Sequence, residues 1–399
     1  MIRGKKIFND PVYGFISVPY GVLFDIIEHP YFQRLRRIRQ VGLTDIVYPG
    51  ALHTRYSHAL GAFHLMNQAI QTLRMKGVDI TPQEEEAVCV AILLHDIGHG
   101  PISHALEFKI VPKHHEEISA LLMNTLNEEF GGRLTLALRI FSGDYPKQFL
   151  SQLVSGQLDM DRMDYLNRDS FFTGVSEGVI GYHRIIKMLN VFEGRLVVEE
   201  KGLYSIEKFL VARRLMYWQV YLHKTVLSAE QMLSRAVARA RDLLSKGVEI
   251  PMSENLAFFL KSEDASLIPG WVDRYARLDD TDIMYSLKLW VNSSDLVLKR
   301  LAEGLIDRRL FKCELRNEPI PEKDIAIRRS EVQKNWAFPE EDLKYLVFTG
   351  IESNNAYNIK NAEIEILMKS GVAKAFSEVV DHSLDPKIIK RYYLCYPKN

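Results

Sequence analysis

The sequence contains only three cysteines among its 399 residues, namely Cys89, Cys313 and Cys395. Three thiols cannot form a disulfide framework and none of their spacings matches a zinc site, so we expect buried or incidental thiols in a reducing compartment. The N-terminus lacks the apolar run of a secretory signal, and the longest apolar run, residues 87–94, is too short to span a bilayer. These absences predict a cytoplasmic protein that does not cross a membrane.

The sequence also has no net charge, because 51 lysines and arginines balance 51 aspartates and glutamates. A balanced charge argues against a surface that binds nucleic acid or anionic lipid as a whole, although it is compatible with a local basic pocket. We therefore do not expect nucleic-acid binding. The 47% hydrophobic content is typical of a globular protein, and the length suggests two or three domains or one large core with an appended lobe.

The spacing of apolar residues predicts a mainly α protein. Thr81-Pro82, with Glu84 three residues after the threonine, is typical of a helix start. The apolar run that follows it predicts a buried helix. Another helix is expected after His115, with Leu121 among its inward-facing residues.

Short β-prone segments interrupt and follow the helical pattern. Residues 5–20 and 195–205 alternate like small β-hairpins, and runs such as 345–348 favour strands near the C-terminus. We therefore predict a helical core over residues 1–310 and a smaller α+β lobe over residues 311–399.

The histidines are unevenly distributed, since seven of the twelve lie between positions 58 and 115. His95-Asp96 ends the predicted buried helix, and a run of aspartates follows near residue 161. Imidazole and carboxylate groups suit Mg, Mn, Fe, Ni or Zn with water in the open positions, so His58, His95, Asp96 and Asp161 could hold one divalent ion. On spacing alone, a buried hydrogen-bonded pair is about as compatible with the pattern as a metal site is.

Four strings give the chain a resemblance to a known family: HTRYSHALG at 53–61, LLHDIGHGPISHALE at 93–107, HHEEIS at 114–119 and LDMDRMDYLNRDS at 158–170. In this order they resemble the HD-domain phosphohydrolases, and most closely the deoxynucleoside triphosphate triphosphohydrolases. The HD motif region covers about residues 50–170. The resemblance implies a helical, metal-dependent enzyme.

The resemblance also implies roles for individual residues. His58, His95, Asp96 and Asp161 match the metal ligands of the family. His115 matches its catalytic histidine, and Glu107 stands where an aspartate often orients that histidine. His99 and His104 match two further active-site histidines, and the sequence does not decide whether His104 or His115 protonates the leaving oxygen.

A triphosphate requires local positive charge, and the resemblance assigns it to Arg55, Arg162 and Arg213. The sugar would contact four residues: Gln40, Tyr165, Asp169 and Tyr221. Tyr217 replaces a histidine found in some relatives.

The spacing of Arg213, Tyr217, Tyr221 and Lys224 predicts one stripe on a continuous helix. Without the resemblance, this stripe is typical of an amphipathic helix with inward-facing tyrosines.

The arginine run at residues 34–39 has two interpretations. The pattern favours a solvated helix face, whereas the resemblance implies a regulatory nucleotide site between subunits. The residues that match such a site are Gln33, Arg36, Lys224, Arg308 and Lys312. A regulated member of the family would form a homo-oligomer, either a dimer or a tetramer.

The leading hypothesis is therefore hydrolysis of a dNTP to a deoxynucleoside and inorganic triphosphate, with a metal-activated water attacking the α-phosphorus. One alternative is an HD nucleotidase or phosphodiesterase that acts on other nucleotides. Another is a nucleotide-sensing or nucleic-acid-binding protein that kept the pocket but works by assembly.

Overall fold

The computed structural model describes residues 4–354, 363–380 and 389–398, and most of these are helical, which confirms the predicted mainly α class. The helices and strands follow one another in this order: β1 Lys5–Asp10, β2 Gly14–Pro19, α1 Val22–Glu28, α2 Pro30–Gln33, α3 Arg55–Met75, α4 Pro82–Leu94, α5 Ser103–Leu106, α6 His115–Glu129, α7 Thr135–Phe141, α8 Gln148–Val154, α9 Met160–Thr173, α10 Tyr182–Met188, β3 Leu189–Phe192, β4 Arg195–Glu199, α11 Leu203–Met216, α12 Lys224–Ser245, α13 Glu254–Leu260, α14 Trp271–Tyr275, α15 Asp280–Trp290, α16 Leu296–Ile306, β5 Lys312–Arg316, α17 Glu322–Trp336, α18 Leu343–Leu346, β6 Phe348–Asn354, β7 Glu365–Leu367, β8 Ala373–Ala375, α19 Phe376–Val379 and β9 Ile389–Tyr396.

Helices α3 and α4 pack against each other in the middle of the core, and α3 also packs against α9. The start of α4 is the predicted one: Thr81 Oγ1 accepts a hydrogen bond from the Glu84 N–H at 3.2 Å, and Glu84 Oε2 accepts one from the Thr81 N–H at 2.8 Å. Residues 87–94 of α4 are all buried. The apolar run therefore fixes α4 in the core and carries the residues after it into the interior.

Helix α6 follows His115 as predicted, but one of its apolar residues points outward. Ile118, Leu122 and Leu126 are buried, whereas Leu121 is 38% exposed. Leu121 therefore lies at the edge of the apolar stripe and not within it.

The first predicted hairpin is confirmed by β1 and β2, which pair antiparallel. The second was wrong in position, because the hairpin consists of β3 and β4, and residues 200–202 form a 3-10 turn that leads into α11. Its two-residue turn, Glu193-Gly194, has positive φ at both positions. Such a turn matches the twist of the strands, but Glu-Gly is a weaker signal for it than Asn-Gly.

The predicted continuous stripe from Arg213 to Lys224 was also wrong. Helix α11 ends at Met216, residues 217–221 form a π-helical turn, and α12 begins at Lys224. A π turn contains an extra residue and changes the direction of the following side chains. Arg213, before the turn, is buried, whereas Lys224, after it, is exposed.

The C-terminal residues form two sheets. Strands β5, β9 and β6 form an antiparallel sheet, and β5 packs against α12. Strand β7 pairs in parallel with β4, so residues near position 366 complete a sheet that begins in the helical core. Within 345–348, the strand begins only at Phe348, after the short helix α18.

The division at residue 310 stays a prediction. In the part of the chain that the structure describes, no helix is long and apolar enough to cross a membrane.

Candidate active site

Two imidazoles face each other where α3 begins and α4 ends. The Nε2 atoms of His58 and His95 are 3.4 Å apart. His58 Nδ1 donates a hydrogen bond to Asp164 Oδ2, and His95 Nδ1 donates one to the carbonyl of Ile92, each at 2.7 Å. Because Nδ1 carries the proton in both rings, the two Nε2 lone pairs point at the same position.

Two carboxylates complete this group. Asp161 Oδ1 lies 3.2 Å from His58 Nε2 and 3.5 Å from His95 Nε2, and Asp96 Oδ1 lies 3.4 Å from His95 Nε2. Ligand atoms that surround one ion at about 2.0–2.2 Å are separated by roughly 3 Å. The structure therefore brings His58, His95 and Asp161 together at a spacing that fits one divalent ion, and Asp96 lies beside them. The mixed donor set does not select among Mg, Mn, Fe, Ni and Zn.

The pKa values of these residues show how strongly they interact. Burial lowers the pKa of His58, but hydrogen bonds with Asp161 and Asp164 outweigh burial and raise it to about 10. For Asp161, burial raises the pKa, but the hydrogen bonds from His58 and His95 outweigh it and hold the pKa below its usual range. Without metal, these imidazoles hold protons, and a divalent cation would replace them.

A buried chain of charged residues supports His58. Asp164 accepts from His58 and from Arg168, whose Nε and Nη2 atoms lie 2.9 and 3.1 Å from its oxygens, and Arg168 Nη1 donates to Asp10 at 2.8 Å. Gly61 of α3 leaves room for this chain, because a Cβ there would collide with Asp164 and Arg168. The sequence interpretation missed Asp164 and Arg168, although their spacing from Asp161 places them on one helix.

The other predicted histidines lie on the opposite side of Asp96. His99 Nε2 is 3.2 Å from Asp96 Oδ1, and its ring stacks on that of His115 with 3.8 Å between centroids. Glu107 Oε1 lies 2.6 Å from His115 Nδ1 and also accepts the His115 backbone N–H at 3.2 Å. His104 is the exposed member, with its ring 5.9 Å from that of His99.

Two members of this second group, His99 and Glu107, have lowered pKa values. Burial and the neighbouring charge of Arg55 hold the pKa of His99 well below its usual range, so its ring stays neutral. Burial raises the pKa of Glu107, but its hydrogen bonds with His115 outweigh burial and lower it to about 2. The ionised Glu107 therefore keeps the proton of His115 on Nδ1 and leaves Nε2 free.

The three arginines assigned to phosphate are held by one or two partners each. Arg55 contacts Asp96 through Nη1 and donates from Nη2 to Ser103 Oγ at 2.8 Å. Arg162 pairs with Asp159, and Arg213 Nη1 donates to the Gln157 amide at 3.3 Å. In all three, the buried Nε–H has no hydrogen-bond partner.

The residues assigned to the sugar surround Asp169. Its carboxylate accepts from the Tyr221 hydroxyl and from His53 Nε2, each at 2.7 Å. The Tyr165 and Tyr217 rings lie 6.3 and 5.4 Å from that of Tyr221. Burial raises the pKa of Tyr165, and the charges of Arg213 and Arg162 oppose it, so this ring lies between the sugar residues and the arginines.

Gln40 lies beside His53, whose carbonyl accepts the Gln40 N–H at 3.0 Å. The sequence interpretation gave His53 no role, although it begins the first matching string.

The distribution of unpaired buried atoms is informative. Within the described ranges, eleven buried side-chain polar atoms have no hydrogen-bond partner. An unpaired buried polar group is unfavourable, and such groups are rare in folded proteins. Six of the eleven belong to this site, namely those of Gln40, His53, Arg55, His99, Arg162 and Arg213. Their concentration here is typical of a pocket that binds a polar ligand.

The arginine run is only partly a solvated face, because Arg36 and Arg37 are exposed and Arg34 is not. Arg34 is fully buried and donates to the carbonyls of Leu278, Ile97 and His99 at 2.8, 3.1 and 2.6 Å. It therefore holds the loop that follows the His95-Asp96 pair. Arg36 is exposed, and its Nε donates to Gln33 Oε1 at 2.8 Å.

The other residues assigned to regulation lie elsewhere on the surface. Arg308 Nε donates to the Ile46 carbonyl at 3.0 Å, and Lys312 faces Glu314 at 3.5 Å. Over the described ranges, no hydrogen bond or ion pair joins Lys224, Arg308 or Lys312 to Gln33 or Arg36. A single chain does not assemble these residues, and a site between subunits stays a prediction.

Comparison with known proteins identifies the family. The sequence profile of the HD domain matches residues 55–168, and that of the HD associated region matches residues 180–252. The uncharacterised protein YwfO of Bacillus subtilis is 32% identical, over 99% of this chain and 93% of its own length. The chain belongs to the HD-domain phosphohydrolase family. The crystal structure of a phosphohydrolase from Bacteroides thetaiotaomicron superimposes with a TM-score of 0.96 at 51% identity, covering 99% of this chain and all of that one.

A further relative has a more specific name. The deoxynucleoside triphosphate triphosphohydrolase SAMHD1 homolog of Dictyostelium discoideum is 27% identical, over 92% of this chain and 75% of its own length. As an HD-domain phosphohydrolase, the protein is a metal-dependent hydrolase, and its His58, His95 and Asp161 are grouped so that they could hold the ion.

Proposed function

We propose that the protein hydrolyses deoxynucleoside triphosphates to a deoxynucleoside and inorganic triphosphate. The observation that carries this proposal is the set of unpaired buried Nε–H groups on Arg55, Arg162 and Arg213, next to a cluster of tyrosines around Asp169. Guanidinium groups bind phosphate oxygens, and the aromatic cluster suits a sugar. The name of the Dictyostelium relative supports the same substrate class.

The reaction adds water to the α-phosphorus and breaks its bond to the 5′-oxygen. A divalent ion held by His58, His95, Asp96 and Asp161 would polarise phosphate oxygens and lower the pKa of water. Arg55, Arg162 and Arg213 would neutralise charge that develops on the triphosphate. We assign protonation of the leaving 5′-oxygen to His115, because Glu107 orients its ring, whereas His104 is exposed. His115 would first take up a proton on Nε2 and then donate it from this imidazolium, while Nδ1 keeps its hydrogen bond with Glu107.

The sugar residues would select a deoxyribose. Each carboxylate oxygen of Asp169 already accepts one hydrogen bond and has a further lone pair for the 3′-hydroxyl. Tyr165 would pack against C2′ and leave no room for a 2′-hydroxyl. Gln40 Oε1, buried and unpaired, would accept a hydrogen bond from the nucleoside.

The test is product analysis with metal-loaded enzyme in ¹⁸O-labelled water. Each dNTP and NTP is incubated separately, nucleosides and nucleotides are separated chromatographically, and ³¹P NMR identifies the phosphate product. We expect deoxynucleoside and triphosphate, with ¹⁸O in the triphosphate only. Monophosphate with pyrophosphate would contradict this reaction, and turnover of cyclic nucleotides or monophosphates instead would favour a nucleotidase or phosphodiesterase.

We further propose that a dNTP activates the enzyme by joining chains into a dimer or tetramer. The support is that Gln33 and Arg36 form a bonded, partly exposed pair, whereas the other three matching residues lie apart on the same chain. Light scattering and activity should increase together when dNTP is added. Activity from a strict monomer at every dNTP concentration would contradict the proposal.

A further inference from the structure

A second cluster of histidine and carboxylate side chains lies outside the proposed ligand set, where the loop after α5 meets α6. It comprises Glu107, His114 and His115, whose ligand atoms all lie within 4.8 Å of one another. Glu107 Oε1 is 3.6 Å from His114 Nε2 and 2.6 Å from His115 Nδ1. The His114 side chain is 40% exposed and the other two are 21% exposed, so a dissolved ion can reach them.

We propose that Glu107, His114 and His115 form a second metal site, which binds Zn²⁺. Two imidazoles and one carboxylate, with water in the fourth position, are a donor set that zinc commonly takes. Tetrahedral ligands at zinc distances of about 2.0–2.2 Å are separated by roughly 3.4 Å. The 3.6 Å separation already fits, and the 2.6 Å separation widens when two bonds to the ion replace the hydrogen bond.

The surroundings of His114 favour coordination through Nε2. Its Nδ1 lies 3.8 Å from Glu116 Oε2, and metal-binding histidines commonly direct their other ring nitrogen at a carboxylate. Coordination moves the His114 proton from Nε2 to Nδ1, so Nδ1 gives up the hydrogen bond that it accepts from the Glu116 N–H at 3.4 Å and can donate to the Glu116 carboxylate instead. The backbone is already fixed, because the His114 N–H donates to Glu117 Oε1 at 3.2 Å.

Zinc at this site would change the state of His115. It would displace the hydrogen bond between His115 Nδ1 and Glu107 and shift the His115 proton from Nδ1 to Nε2. An imidazole bound to zinc through one nitrogen cannot take up a second proton, so it cannot act as an imidazolium acid. We therefore expect zinc to inhibit hydrolysis, and this consequence rests on the proposed catalytic role of His115, whereas zinc binding itself does not.

The positional test is anomalous diffraction from crystals of the full chain in zinc, recorded above and below the zinc absorption edge. We expect a peak bonded to Glu107, His114 and His115. The His114→Asn variant should lose this peak, since asparagine keeps the helix cap but removes the imidazole. His183→Asn, which removes an exposed histidine elsewhere, should retain it. Wild-type crystals with zinc at His58 and His95 but none at Glu107 would overturn the proposal.

A solution test uses zinc competition with a chromophoric chelator. His114→Asn should bind one zinc fewer per chain than wild type, and Glu116→Gln should bind this zinc about tenfold more weakly. Equal zinc stoichiometry in wild type and His114→Asn would overturn the site. If zinc occupies the site in crystals and hydrolysis proceeds at the full rate, the role assigned to His115 fails and the zinc site stands.

Discussion

Two groups of histidines lie on opposite sides of Asp96, and they differ in protonation. Asp96 Oδ1 is 3.4 Å from His95 Nε2 and 3.2 Å from His99 Nε2. Burial lowers the pKa in both groups, but hydrogen bonds with Asp161 and Asp164 raise that of His58, whereas the charge of Arg55 lowers that of His99 further. The sign of the neighbouring charge, and not burial, therefore separates metal ligands from neutral imidazoles.

The largest effect is expected from Asp161→Ala, which removes a carboxylate from the group around His58 and His95. Removing this ligand should abolish metal binding and lower kcat/KM by at least about 10⁴-fold. Losing a hydrogen-bond partner should also lower the pKa of His58 in the metal-free protein. Elemental analysis, kinetics and histidine NMR measure the three effects. Asp144→Ala, at an exposed carboxylate, is the matched control. A metal-free Asp161→Ala protein with full turnover would refute the ligand assignment.

His115→Gln tests the second group of histidines, in which His115 is the proposed proton donor. Without a proton donor, kcat should fall by about 10²–10⁴-fold, while zinc-free preparations keep the wild-type content of the ion at His58, His95 and Asp161. Kinetics and elemental analysis on the same preparation give both values, and His183→Gln serves as the control. Loss of that ion together with activity would instead indicate that His115 is one of its ligands.

Arg34→Met should disturb the loop that carries His99 and leave the ligands around His58 unchanged. The variant therefore tests the second group of histidines by itself. The carbonyls of Leu278, Ile97 and His99 would lose a buried donor, so the free energy of unfolding should fall by about 3 kcal/mol. We expect lower kcat with metal content unchanged. Urea denaturation measures the stability. Arg37→Met, which removes a half-exposed ion pair with Asp279, should change it by less than about 1 kcal/mol. An equal decrease in the free energy of unfolding in both variants would contradict a special role for Arg34.

The smallest effect is the pH dependence of metal affinity. In the metal-free protein the pKa of His58 is raised to about 10, so this imidazole is protonated at neutral pH and must release its proton to the ion. Affinity should therefore increase with pH, by about tenfold per pH unit for each proton displaced. Calorimetry in buffers of different ionisation enthalpy counts these protons. An affinity independent of pH below pH 9 would show that His58 is neutral without metal.

Local sequence predicted much of the fold and the composition of the site. The start of α4, the first hairpin and the mainly α class followed from short-range patterns. The structure groups His58, His95 and Asp161, three of the four predicted ligands, with Asp96 next to His95. The errors lie where local patterns are ambiguous. A π turn interrupts the stripe after Met216. The Glu193-Gly194 turn places the first strand of the second hairpin before the predicted segment and only its second strand within it.

The residues that the sequence did not reveal are those with distant partners. Arg34 belongs to a basic run that is typical of a surface, yet its carbonyl partners are 63 to 244 positions away. His53 is 116 positions from Asp169, and Arg168 is 158 positions from Asp10. No local pattern predicts such pairs, because only the folded chain brings these distant segments into contact.

The sequence by itself determined the family and the identity of the proposed ligands, because the HD strings are contiguous and chemically specific. The tertiary structure decided the protonation and orientation of these side chains. His58 and Asp164 lie 106 positions apart, and their hydrogen bond fixes which ring nitrogen faces the ion. Whether a histidine is a ligand, a neutral ring or a proton donor depends on the charges around it, and those charges come from helices that meet only in the folded chain.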